Sequence, residues 1–365
     1  MSSKSSREQW LLALTYLPSI AGTEDAVIAW VRTWVARRSD LRMRTDDSGN
    51  LVITQKRRSK RRPVYVTAHL DHPGFVVTEQ VDAQNVEWQF LGGVADAYFT
   101  DARLEFFPNS SAPVAATVTS MESDGRHRSG TARVARSLDP GTIGRWYFSE
   151  RSLGIRSDRL RAPGCDDLAG VAAALSALDE MRQRPGLNHV GVLLTRAEEM
   201  GFIGAIGACK EGYLSPETQL LCIEMSRSFA DSPIGAGPIV RVGDASSVFD
   251  RAMTNHLSSV AKDLPGLFAW QRKLMVGGSC EATAFGAYGY QSTCLCLPLD
   301  NYHNMADIDE VAAGTSPAKV APEEISLRDF HGLVRLLVAS ARTIGNASDE
   351  LSLDDHFESW HHLLA

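Results

Sequence analysis

Apolar residues recur at helical spacing near the start of the chain, with Trp10, Leu11, Leu14 and Leu17 on one face and Val27, Trp30, Val31 and Trp34 on another. That period predicts two helices within 7–37, parted by the turn Ser19-Ile20-Ala21-Gly22-Thr23-Glu24, where Thr23 is placed to cap the second helix. Asp47-Ser48-Gly49-Asn50 is turn chemistry ahead of a short strand at 51–54. From residue 64 onward, strand-like apolar runs (64–68, 190–195, 220–223, 292–297) alternate with helical ones (168–181, 202–210, 282–288, 327–344). This alternation predicts an α/β fold: a mostly parallel sheet with helices on both faces.

Residues 74–160 break the pattern. Segments there are short and β-like (86–91, 102–107, 115–119, 146–148), rich in turn residues and without a helical run, which predicts an inserted small β-barrel domain. The expected organisation is a main domain made of 1–73 and 161–345, the insert at 74–160, and a tail at 346–365. The tail is acidic with apolar residues at Leu351, Leu353, Phe357, Trp360 and Leu364, a pattern that suits either a docking helix or a loose end.

Composition narrows the function classes. A net charge of −7 over 365 residues gives no general attraction to nucleic acid or anionic lipid, so neither is an expected partner. The basic run from Lys56 to Arg62 lies between two strands of an acidic chain and reads as a solvated loop. No run reaches the roughly 18 apolar residues of a membrane span. The polar start and the short apolar stretch after it lack a cleavage pattern, so secretion is not expected. The cysteines Cys165, Cys209, Cys222, Cys280, Cys294 and Cys296 form no paired framework and read as reduced thiols of a cytoplasmic protein.

Metal-type residues cluster where open α/β sheets place their sites, at the carboxyl ends of strands. The strand at 64–68 ends in His69-Leu70-Asp71; the one at 190–195 leads to Glu198-Glu199; 220–223 ends in Glu224; 292–297 runs into Asn301-Tyr302-His303; and Gly164-Cys165-Asp166-Asp167 precedes a helix. Singly, each has an ordinary explanation: a hydrogen-bonded loop pair, a solvated carboxylate pair, a salt-bridged Glu224, a structural histidine. Together they supply what two divalent ions about 3.5 to 4 Å apart require: a bridging carboxylate, an imidazole and a further carboxylate each, and a base. Such donors suit zinc, with cobalt or manganese also accepted.

The order and spacing of these motifs resemble the dinuclear metallo-aminopeptidases of the glutamyl and deblocking aminopeptidase family, whose tetrahedral members trim peptides in the cytosol. The resemblance runs from about Leu14 to Thr343. It rests on Leu17-Pro18 to Glu24-Asp25, Asp47-Ser48-Gly49-Asn50-Leu51, His69-Leu70-Asp71-His72-Pro73-Gly74-Phe75, Asp166-Asp167-Leu168-Ala169-Gly170, Glu198-Glu199-Met200-Gly201, Gly277-Gly278-Ser279 and His303. It implies a zinc-exopeptidase-type catalytic domain, an inserted domain used in dimerisation, peptide substrates and a homo-oligomer. It also implies His69, Asp166 and Glu224 as ligands of one metal, and Asp166, Glu199 and His303 of the other. Glu198 would be the general base, Asp71 would orient His69, and the Asp166–Asp167 peptide bond would be cis.

The chain departs from the family at several places. It has Asp71-His72-Pro73-Gly74-Phe75 for Asp-Glu-Ile-Gly-Phe, Leu168 for an arginine, Asp300-Asn301-Tyr302-His303 for Arg-Tyr-Ile-His, Gly278-Ser279-Cys280-Glu281-Ala282 for Gly-Gly-Thr-Asp-Ala, and Glu224 for an aspartate. Glutamate at the Glu224 position is associated with carboxypeptidases and other amide hydrolases, which keeps those activities as alternatives to the aminopeptidase the whole-chain resemblance favours. A glycosidase using Glu198 and Glu199 is disfavoured, since backbone neighbours rarely span the roughly 5 to 10 Å between glycosidase carboxyl groups. A metal-stabilised scaffold without activity has no use for Glu198.

Overall fold

The computed structural model describes residues 3–57, 59–109, 112–125, 127–266, 269–347 and 353–364. Two helices, α1 (Lys4–Thr15) and α2 (Asp25–Ala36), open the chain and bury Leu11, Leu14, Val27, Val31 and Trp34. Thr23 does not cap α2, contrary to the turn chemistry. The capping position falls on Glu24, whose carboxylate accepts from Gly22 N at 2.9 Å and pairs with Arg196 at 2.6 Å instead of closing the helix.

Strands β1 (Leu41–Thr45), β2 (Leu51–Gln55) and β3 (Val64–His69) follow, with Lys56, Arg57, Lys60 and Arg61 exposed on the β2–β3 loop; Arg58 of that basic run lies outside the described residues. The chain then builds six antiparallel strands: β4 (Gly74–Asp82), β5 (Asn85–Leu91), β6 (Arg103–Phe107), β7 (Val114–Ser123), β8 (Arg128–Val134) and β9 (Ile143–Trp146). They close into a barrel in the order β4-β5-β8-β7-β6-β9. Its core is aromatic: Phe75 makes edge contacts with Phe90 at 4.9 Å and Trp146 at 4.7 Å, and Trp88 and Phe99 are fully buried beside them. The last strand spans Ile143–Trp146 instead of 146–148, and within it Gly144 lies close against Phe106. A Cβ there would sit 2.5 Å from that ring.

After the short hairpin β10 (Gly154–Arg156) and β11 (Arg159–Ala162), the α/β alternation resumes with α3 (Leu168–Met181), β12 (Val190–Thr195), α4 (Ile203–Lys210), β13 (Gln219–Arg227), β14 (Ile239–Gly243), α5 (Arg251–Asp263), β15 (Gln271–Leu274), α6 (Glu281–Ala287) and β16 (Gln291–Leu299). Small elements β17 (Met305–Ala306), α7 (Ile308–Ala312), β18 (Lys319–Val320) and β19 (Glu323–Ser326) lead to α8 (Leu327–Ala341), and α9 (Asp354–Trp360) lies in the tail. The eight-stranded sheet runs β1-β2-β12-β3-β13-β16-β14-β15, and its central pairs β12–β3, β3–β13 and β13–β16 are parallel. Helices α1, α3, α5 and α8 pack on one face around Leu175, Phe330 and Leu337; α4 and α6 cover the other around Leu193, Leu220 and Phe285. The fold is thus the mostly parallel α/β sheet with an inserted β-barrel that the pattern predicts. All six cysteines are buried and free. Among the described residues no helix is long and apolar enough to cross a membrane.

Candidate metal centre

The sheet's central strands end unevenly, and the gap this leaves is the site. His69 is the last residue of β3, level with Thr195 of β12, but β13 pairs with β3 only as far as Cys222 opposite Thr67. Beyond that point β13 is held by β16 alone, through Arg227 opposite Leu299. Glu224 therefore lies inside a strand longer than the expected 220–223, on the stretch β3 no longer flanks, with Oε1 3.8 Å from His69 Nε2. Asp166 enters from the loop before α3, across a cis bond to Asp167. Glu198 and Glu199 occupy a single turn after β12, which the left-handed Ala197 (φ 51°) bends sharply off the strand. His303, also left-handed at φ 53°, follows β16.

All five ligand-type residues and Glu198 converge. Asp166 faces an imidazole with each oxygen: Oδ1 lies 3.3 Å from His69 Nε2 and Oδ2 lies 3.5 Å from His303 Nε2. Glu199 Oε1 stands 3.1 Å from His303 Nε2, and Glu198 Oε2 4.0 Å from His69 Nε2. Two donor sets, His69/Asp166/Glu224 and Asp166/Glu199/His303, each place their ligand atoms within 4.8 Å of one another, and they share Asp166; His69, Glu198 and Glu199 make a third grouping. Asp71 accepts from Glu198 N at 3.0 Å and Glu199 N at 3.1 Å, while His69 Nδ1 lies 3.0 Å from the Asp71 carbonyl and 3.5 Å from its carboxylate. It thus ties the β3 end to the Glu198 turn.

Sequence reasoning missed the supports behind this set. Glu323, fully buried, accepts from Cys165 N at 2.5 Å and Asp166 N at 3.0 Å through one oxygen, and from His303 N at 2.9 Å through the other. One carboxylate so positions two candidate ligands, and nothing in Ala321-Pro322-Glu323 signals it. His72 lies 2.5 Å from the Asp166 carbonyl through Nδ1, and Gly93 of the barrel accepts His303 Nδ1 at 2.6 Å. Asp167 accepts from His69 N at 3.2 Å, and Gly170 must be glycine because a Cβ would fall 2.0 Å from the Asp167 carboxylate.

The electrostatics call for cations. Burial, then Glu224 and Glu199, push the Glu198 carboxyl well above the usual range, and burial with Asp166 does the same to Glu224. Burial alone would depress His69 and His303, but the surrounding carboxylates raise both well above an ordinary imidazole. Asp166, although buried, is held low by its two histidine partners. Buried carboxylates thus outnumber the imidazoles that face them, and Asp166 Oδ1 and His303 Nε2 are buried without a hydrogen-bond partner. Unpaired buried donors and charges are costly, and a nitrogen and oxygen donor set of this kind fits divalent zinc-type ions.

Beside Glu224 opens a cavity of about 260 Å³ walled by Met225, Phe229, Met275, Tyr302 and the Gly277-Gly278 turn, with Arg241 in its lining. Arg241 is only 3% exposed. Its guanidinium reaches neutral acceptors alone, Gly278 O at 3.1 Å, Gly243 O at 3.4 Å and Ser226 Oγ at 3.5 Å, and among the described residues it has no carboxylate partner within ion-pair distance.

A sheet of this topology with convergent histidines and carboxylates at its strand ends defines the class of metal-dependent exopeptidases. The model of the M42 glutamyl aminopeptidase family matches residues 133–316, half of the chain, and the protein belongs to that family. It is a metal-dependent aminopeptidase. Solved structures share the fold: a TET aminopeptidase from a marine-sediment Thaumarchaeota archaeon (17% identity, TM-score 0.78, covering 95% of this chain and 100% of that one). An aminopeptidase from Desulfurococcus kamchatkensis is similar as well (18%, TM-score 0.74, 95% and 99%). So is the Pyrococcus horikoshii TET1 peptidase, which assembles into a tetrahedron or an octahedral shell (18%, TM-score 0.71, 93% and 99%).

Proposed function

We propose that the aminopeptidase works through a dinuclear centre, His69, Asp166 and Glu224 holding one ion and Asp166, Glu199 and His303 the other, and that it prefers an acidic N-terminal residue. The observation that carries the first part is the two donor sets sharing Asp166, with buried donors that no protein group satisfies. Bound there, two divalent ions, zinc first and cobalt or manganese next, supply charge to polarise the scissile carbonyl and to ease ionisation of a water. Glu198 takes the proton from the attacking water as its oxygen bonds to the carbonyl carbon. The same carboxyl then gives a proton to the nitrogen of the breaking C–N bond. Asp71 holds the Glu198 backbone in place during both transfers. The buried Arg241, without a carboxylate partner, supports the preference for an anionic side chain, since a desolvated guanidinium is stabilised by a bidentate carboxylate. Six reduced thiols suit a cytosolic setting. The barrel, an independent closed sheet with its own core, is suited to self-association into a homo-oligomer.

Elemental analysis tests the centre. Protein purified without chelator and loaded with zinc or cobalt should approach two equivalents per chain, and His303→Ala should retain one. A stoichiometry near zero after loading would reject the assignment.

A further inference from the structure

We propose that Tyr302 is a catalytic residue of this aminopeptidase, its phenol donating a hydrogen bond to the oxyanion that forms on the scissile carbonyl. The proposal rests on the dinuclear reading above, which sets where that carbonyl lies. Attack by water moves an electron pair of the C=O bond onto the oxygen, and that charge is stabilised by a donor already aimed at it while the C–N bond breaks. Tyr302 keeps its own proton throughout, so the proton transfers stay with Glu198.

The first support is the way the chain fixes the ring. Tyr302 stands between two left-handed residues, Asn301 (φ 55°) and His303 (φ 53°). Backbone of this kind persists where its surroundings over-determine it, commonly at active sites. Here Asn301 Nδ2 donates to Pro322 O at 2.8 Å, and His303 N donates to Glu323 at 2.9 Å. The Tyr302 ring stacks on the His303 imidazole, with centroids 3.9 Å apart and planes 20° from parallel. It also packs against both the sheet core and the barrel core, so the hydroxyl is held in place before substrate arrives.

The second support is what the hydroxyl faces and what it lacks. Tyr302 lines the cavity beside Glu224, and its hydroxyl lies in the fields of Asp166, Glu199, Glu224 and Glu198 together. The other side-chain donors of that lining are engaged: Arg241 with Gly278 O, Gly243 O and Ser226, Arg227 with Asp309, Ser279 with Ser246. The two imidazoles offer no free donor either, because each has Nδ1 on a backbone carbonyl and Nε2 turned to carboxylates. Among the described residues the Tyr302 hydroxyl has no hydrogen-bond partner. A half-buried phenol without a protein acceptor is a donor left for a group that comes with the substrate.

Tyr302→Phe tests this, since it keeps the ring and its stack on His303 and removes only the hydroxyl. Wild type and variant, both loaded with zinc and assayed for bound metal, are compared in turnover of a Glu-Ala peptide and in calorimetric binding of two probes. One is the phosphinic analogue of that peptide, whose tetrahedral phosphorus carries an oxygen where the oxyanion forms. The other is the reduced isostere, which replaces the scissile carbonyl by a methylene and offers no such oxygen. The variant should keep its metal and lose on the order of 100-fold in kcat and in affinity for the phosphinate, the scale of one oxyanion donor. KM and affinity for the isostere should stay at wild-type values. A variant that binds the phosphinate as tightly as wild type, that weakens equally towards both probes, or that sheds metal would overturn the proposal, leaving Tyr302 a role in substrate binding or in holding His303. A wild type that binds the phosphinate no better than the isostere, or holds fewer than two metals, would reject the dinuclear reading itself, and the proposal with it.

Discussion

Glu198→Gln is expected to lower kcat on the order of 100-fold or more while the protein keeps its fold and its metal, the usual scale for losing a positioned acid-base group. The amide matches the carboxyl in shape, and the Glu198 backbone N–H that Asp71 accepts is untouched. What disappears is a site that can accept a proton from water and return it to the leaving amine. The two Asp166-sharing donor sets do not need Glu198, whose Oε2 lies 4.0 Å from His69, farther than Asp166 or Glu224. KM should change little, since the residue acts on the water and the leaving group. Turnover near wild type with two equivalents of metal would move the role to another group; loss of metal along with activity would make Glu198 a ligand.

Arg241→Met is expected to reverse the side-chain preference. In the wild type, a substrate with N-terminal glutamate brings a carboxylate to a guanidinium that otherwise bonds, among the described residues, Gly278, Gly243 and Ser226. Hydrogen bonds to charged groups contribute about 1.5–3 kcal/mol each, so the ratio of kcat/KM for Glu-peptide over Leu-peptide should fall by on the order of 100-fold. The variant pocket, already walled by Met225, Met275 and Phe229, becomes continuous apolar surface that favours leucine. Arg241 is buried, so Arg241→Lys serves as a control: it keeps a cation but loses the planar fork, and should retain part of the acidic preference. A ratio unchanged in both variants would mean that Arg241 only supports the Gly278 turn.

Much of the catalytic sheet was legible because its strands are buried on both faces and therefore read as unbroken apolar runs: Val64 to Ala68 and Val190 to Thr195 are buried throughout. His69, Glu199, Glu224 and His303 were legible because each stands at or after such a run, and Asp166 because it stands just ahead of the apolar run that forms α3. Glu224 was legible as a residue but not in its place, since strand length there is set by pairing with β16 beyond the end of β3, a tertiary fact. The barrel was visible as an interruption, yet β8 was not, because Arg128 to Val134 buries only Ala132 and Val134 and its alternation is drowned in polar residues. Glu323, His72 and Gly93 support the ligands through single contacts from distant segments, and no local spacing announces such contacts. Arg241 was equally silent: an arginine in a strand reads as an exposed edge residue until burial shows otherwise.

The most direct measurement compares two peptides of the same sequence beginning with glutamate, one with a free amine and amidated C-terminus, the other acetylated at the N-terminus with a free carboxylate. Both are incubated with metal-loaded enzyme and with enzyme stripped by chelator. The expected result is release of the N-terminal glutamate from the first peptide alone, lost on stripping and restored by added zinc or cobalt. Cleavage of only the second peptide, or cleavage of the first that survives complete removal of metal, would contradict it.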